Sequence, residues 1–284
     1  MSINAFLASA ASALLVFGTA CSSGGPAPPK PGTAAFSWQA AKENFASGDY
    51  LKTVDHLDRV LRSDNEFAPQ ARVWRLVMGA GLAGAYRELT EQYELGGRAN
   101  KANPAPFRRK AADFRTLAER SATMLGELYG NYEKVQPAGD VTIPFGYPPR
   151  GTLSNPPVIA KIAMGQVPSE DDALTAQSGM LQKNVLATVC DVMGATNDTA
   201  KAQQLMKETP AKAPRGAFEL ALADALYQSS VLFNPLKGSQ PVRQKLLLDQ
   251  AAAALAKANS ADKRAKELKQ KIERDSQAVA KKLK

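Results

Sequence analysis

Apolar residues recur in this chain every three or four positions, a spacing that builds amphipathic helices and little else. Over 36–47 (FSWQAAKENFAS), Trp38, Ala41 and Phe45 fall on one stripe. Gly48-Asp49 interrupts the pattern, and 50–62 (YLKTVDHLDRVLR) resumes it with Tyr50, Val54, Leu57, Val60 and Leu61. Two short helices joined by a tight Gly-Asp turn make a helical hairpin. The same periodicity predicts helices over 69–95, 105–135, 173–194, 197–207, 214–233 and 239–258. No stretch shows a convincing strand alternation. The fold class is therefore all-α, in keeping with plentiful alanine and an aromatic content of only 7%.

The run A-x3-F-A-S-G-D-Y-x3-V-x2-L-x2-V-L from Ala41 to Leu61 resembles one tetratricopeptide repeat, a helix-turn-helix unit of about 34 residues. Ala41 takes the small position where two helices approach, Gly48, Asp49 and Tyr50 form the turn, and Leu57 takes the large apolar position. The resemblance implies an α-solenoid of TPR-like hairpins, whose stacked units leave a concave surface for peptides or partner proteins. On that reading 35–135 holds N-terminal hairpins, 158–258 a C-terminal helical region and 259–284 a basic C-terminal helix. The link GGRANKANP reads as a helix end capped by Gly96-Gly97 and stopped by Pro104.

The first 20 residues read as a signal peptide: Phe6 to Phe17 is an apolar run of twelve, too short to span a membrane. It ends in Gly18-Thr19-Ala20-Cys21, and a Ser-, Gly- and Pro-rich tether follows over 21–34. Small residues before a cysteine, then a polar tether, resemble the lipobox of bacterial lipoproteins. The resemblance implies that Cys21 is acylated, becomes the mature N-terminus and holds the protein to a membrane of the cell envelope. Ser22 after the cysteine points to the outer membrane, facing the periplasm. Gly-Thr-Ala also suits an ordinary signal peptidase, which would instead release a soluble exported protein.

Segment 136–157 (QPAGDVTIPFGYPPRGTLSNPP) carries six prolines and cannot be helical. A loop of this length in a compact domain is either functional or a connection. Ile143, Phe145 and Tyr147 alternate within it, which predicts packing on the body. As a lid or contact loop it would offer Phe145, Tyr147 and Arg150 to a partner. As an ordered connection it would join the two helical halves.

Gly79, Gly81 and Gly84 in VMGAGLAG spell GxGxxG, the letters of a dinucleotide-binding turn. That turn needs a strand before it and a strand with a closing acid after it. Arg75 interrupts the supposed strand VWRLVM, and the helix after Gly84 runs into GGRANKANP with no strand beyond. As a helix, Val73, Leu76, Val77, Ala80 and Gly84 share a face, so the glycines read as a small-residue packing seam in the second helical hairpin and no cofactor is expected.

His56 is the only histidine, which excludes Cys/His zinc sites and any two-histidine metal site. Beside Asp55 and Asp58 it reads as part of a solvated face. Cys190, among Val185, Leu186, Val189, Val192 and Met193, reads as a buried small hydrophobe. Glu170, Asp171 and Asp172 follow Ser169, a natural N-cap, where acids complement a helix N-terminus. With no converging acid, base and nucleophile, no enzyme activity is expected.

The formal net charge is +9, and residues 257–284 hold ten Lys and Arg against four acids. That mixture reads as a solvated helix with local ion pairs, or as a contact for anionic lipid headgroups. Export argues against nucleic acid, and the tail has no aromatic residues for base stacking. The sequence thus leads to a lipid-anchored envelope scaffold or adaptor that binds a protein or peptide on a helical surface. The alternative is a helical periplasmic lipoprotein that assists solute binding or transport, with 136–157 covering a pocket.

Overall fold

The computed structural model describes residues 29–135, 139–148, 152–234 and 240–283. It is mostly helical, with ten α-helices among the described residues. Helices α1 (Ala34–Ser47) and α2 (Tyr50–Val60) form the first hairpin. Its turn depends on Gly48, whose φ of 85° lies in the left-handed region, and on Asp49, whose side chain accepts from the Lys52 backbone N–H.

The second hairpin pairs α3 (Ala68–Ala99) with α4 (Ala105–Val135). At 32 residues α3 is about 48 Å long and forms the axis of the molecule. Buried residues run along it from Ala68 to Gly96 because it is covered on several sides. Helix α4 lies along one side, while α6 (Glu170–Val192), the short α5 (Pro157–Ala163) and α8 (Arg215–Ser230) cover others. Helix α9 (Pro241–Ala258) returns antiparallel along α8, and α10 (Lys263–Ala280) closes the end on α9. The small α7 (Thr199–Leu205) follows α6.

Most helix boundaries fall within three residues of those the periodicity predicts, and three differences are informative. A two-stranded ribbon is present: β1 (Val141–Ile143) pairs antiparallel with β2 (Ala211–Ala213), with Thr142 opposite Lys212. Each strand spans three residues, too few for alternation to register in sequence. Helix α5 opens the C-terminal helical region, where the periodicity predicts no helix before 173, and takes Pro157, the last residue of the Pro-rich segment, into its first turn. Gly96 and Gly97 do not cap α3, which runs on to Ala99 and ends at Asn100. A Cβ on Gly96 would lie only 2.3 Å from the Ile162 carbonyl oxygen, so the glycine admits the backbone of α5.

The core beside the first hairpin is aromatic. Trp74 of α3 meets Trp38 and Phe45 edge-on, each at 5.4 Å between ring centroids. Arg75, the residue that would have disrupted a strand, has a buried side chain whose Nε donates to Asp58 of α2 at 2.7 Å. The pair docks α2 on α3 and keeps the guanidinium charge satisfied.

Candidate functional site

The Pro-rich segment packs into this aromatic core. Phe145 is only 3% exposed, stacked on Trp74 at 4.9 Å and tilted against Phe45 at 4.7 Å. Its ring therefore presents no surface to a partner. Tyr147 is half-buried, packed over Cys190, Ala195 and Ala202. Burial, with the Cys190 thiol beside it, raises the Tyr147 phenol above its ordinary range. The Cys190 thiol is free, and burial raises its pKa as well, away from reactivity. Arg150 and Cys21 lie outside the described residues.

The glycine triplet sits inside α3. A Cβ on Gly81 would fall 2.7 Å from Val185 Cα, and one on Gly84 would fall 2.7 Å from Asn184 Oδ1, both on α6. Gly79 faces the other way, toward Leu128 of α4. The seam thus joins α3 mainly to α6, not to its own hairpin partner. His56 is half-buried, with its ring edge toward Phe36 at 6.5 Å. Ser169 caps α6 in a full capping box with Asp172, which accounts for the acidic cluster. Among the described residues no three His, Cys, Asp or Glu side chains could hold a metal ion together.

Three surface depressions are considered in turn. The largest of these, about 640 Å³, is polar and lies where the ends of α6, α8 and α9 meet α10. Arg264 in its wall donates to Asp191 at 2.9 Å, to Asp224 at 2.8 Å and to Thr196 at 3.0 Å. A guanidinium so fully engaged ties α10 to α6 and α8 and has little left for a ligand. A second depression, about 360 Å³, runs between α9 and α10 over Leu255 and Ile272. Lys269 on its rim pairs with Glu273 at 3.8 Å.

The third, about 330 Å³, lies between the start of α4 and the start of α6, with Tyr93 of α3 in its lining. Pro106, Lys110 and Phe114 follow at four-residue steps along one face of α4, and Arg109 stands beside them. The facing wall comes from Val167, Pro168, Glu170, Ala173 and Leu174. Val167 and Leu174 are 49% and 60% exposed, so the apolar lip is open to solvent. Tyr93 is fully buried, yet its hydroxyl has no hydrogen-bond partner among the described residues. Burial, with the Asp172 carboxylate adding to it, pushes this phenol up to about 12, so it stays a neutral donor. A buried hydroxyl without a partner is costly to leave unsatisfied.

Sequence reasoning passed over this groove, although one signal for it was present. Arg108, Arg109 and Lys110 occupy the first two turns of α4, and no acid precedes them in the first turn. Helices favour acids there, because the N-terminal end of the macrodipole is positive. None of the three cations has an ion pair or hydrogen bond among the described residues. No helix among the described residues is long and apolar enough to cross a membrane. Comparison with known protein families, with curated proteins and with solved structures finds no match to this chain.

Proposed function

We propose that this protein is a lipid-anchored adaptor of the bacterial cell envelope that holds a protein or peptide partner on its helical surface. The observation that carries the reading is the open groove between α4 and α6, whose apolar lip and exposed cations, unpaired among the described residues, suit a polypeptide segment. The burial of Phe145 weighs against a solute-binding lipoprotein, since that reading needs 136–157 as a cover over a pocket. The role proposed is binding and not catalysis.

The α1–α2 hairpin, with helices of 14 and 11 residues, supports the tetratricopeptide-like reading of this part of the chain. Helices α3 and α4 are 32 and 31 residues long, more than twice that, so the repeat reading rests on the first hairpin. Acylation of Cys21 and the outer-membrane, periplasm-facing address rest on the N-terminal sequence.

Two measurements test the proposal in cells. Metabolic labelling with a palmitate analogue is expected to mark the wild-type protein and to vanish in Cys21→Ala. Label that persists in the variant rules out the anchor. A photo-crosslinker at Leu174 is expected to trap one discrete envelope protein, whereas the same group at exposed Glu43 on α1 traps none. Absence of any discrete adduct from a set of positions around the molecule would end the adaptor reading.

A further inference from the structure

The groove between α4 and α6 is specific about what could fill it. Its floor and lip are apolar, through Phe114, Ala173, Leu174 and Val167. Along the α4 wall stand Arg109 and Lys110, exposed and without an ion pair among the described residues, at the helix end where positive charge is least favoured. Tyr93 lines the same groove from beneath, its buried hydroxyl without a hydrogen-bond partner among the described residues. The opposite wall carries Glu170, with Asp171 and Asp172 next to it.

We infer that this groove receives a short segment of a partner protein in which a carboxylate side chain stands beside an apolar one. The inference rests on the adaptor reading above and names the partner's chemistry. The apolar side chain covers Phe114 and Leu174. The carboxylate turns to the α4 wall, where the exposed Arg109 and Lys110 offset its charge. Glu170 repels a second carboxylate, so a segment with one acid flanked by apolar residues fits better than an acidic run. The concave shape, with the phenol below the surface, suits a side chain entering it and not a flat bilayer.

The test uses the full-length protein and a short fluorescein-labelled peptide with Leu-Glu-Leu at its centre, read by fluorescence anisotropy. Counterparts carry Lys for the Glu, or Ala for both Leu. The Leu-Glu-Leu peptide is expected to bind, and each counterpart to bind at least about tenfold more weakly. Arg109→Glu with Lys110→Glu is expected to lower the affinity by at least about tenfold without lowering the melting temperature, because both side chains are exposed and acids suit this helix end.

Equal binding of the lysine counterpart, or undiminished binding by the charge-reversed variant, overturns the inference, as does failure of the Leu-Glu-Leu peptide to bind. Phosphatidylglycerol vesicles are run in parallel. If they bind the wild type, the charge-reversed variant does not, and the peptide fails, the surface meets a membrane and the inference is wrong. A discrete envelope adduct trapped elsewhere on the molecule, with none from Leu174, would retain the adaptor and overturn the groove.

Discussion

Gly81 and Val185 hold two helices at backbone contact: a Cβ added to Gly81 of α3 would lie 2.7 Å from the Val185 Cα of α6. The approach is set by main chain, so neither helix can relieve it with a rotamer change. Gly81→Ala should destabilise the protein by about 1–3 kcal/mol through overpacking, despite alanine's higher helix propensity. Gly130 of α4 supplies the contrast, because its Cβ would meet only Gln250 Nε2 at 3.5 Å. Gly130→Ala should stabilise by about 0.5–1 kcal/mol. Urea unfolding of both variants checks the pair, and equal effects would mean that the α3–α6 spacing gives way easily.

Phe145 fills the space between Trp74 and Phe45, and its removal leaves a cavity at the junction of the first hairpin with α3. Phe145→Ala should cost about 3–5 kcal/mol, as a buried aromatic truncation does. Denaturant unfolding measures this directly. A cost near zero would mean that the segment lies loosely on the surface.

Arg264 is the shared partner of Asp191 and Asp224, which come from different helices. Arg264→Leu leaves the two carboxylates facing each other with no cation between them. The expected loss is about 1–3 kcal/mol, moderated because all three side chains keep some solvent contact. Hydrogen exchange should show the loss concentrated in α10 and its junction with α9. Uniform acceleration across the protein would assign Arg264 a global role.

Glu219 is fully buried on α8, accepting from Tyr129 Oη at 3.3 Å and paired with Arg215 at 3.3 Å. Burial raises its carboxyl above the ordinary 4.5, although Arg215 and Lys257 oppose the shift. A folded-state pKa above the unfolded one means that the folded protein binds this proton more tightly. The resulting stability is fully present below the unfolded pKa and is lost as pH rises through the folded one. Glu219→Gln removes that dependence. Relative to wild type, its melting temperature should therefore climb as pH is raised from the unfolded carboxylate range toward neutrality. A difference that falls over the same range would show that the cations outweigh burial.

Much of this architecture can be read from the residues alone, for local reasons. Ser169 and Asp172 announce the start of α6 three residues apart, and Gly48-Asp49 marks the first hairpin, because capping and turn chemistry are short-range. What escapes the sequence is fixed by residues far apart. Gly96 looks like a helix cap until the Ile162 carbonyl is seen against it. β1 and β2 exist because Thr142 finds Lys212 across the fold, with no pattern in either strand to advertise it. The groove has the same character: Tyr93, Lys110 and Leu174 lie on three helices, and only their packing puts them in one place. The cations of α4 were the part open to reading, as a violation of helix-end electrostatics.

The cover over α3 arrives in two instalments. Helix α4 follows at once, but α6 and α8, which close the Gly81 face and complete the core, are encoded about a hundred residues later. A chain emerging from the ribosome in order therefore cannot finish its interior until most of its length has been made. The export proposed above would draw on that delay: the polypeptide would stay threadable while its leading end is being engaged.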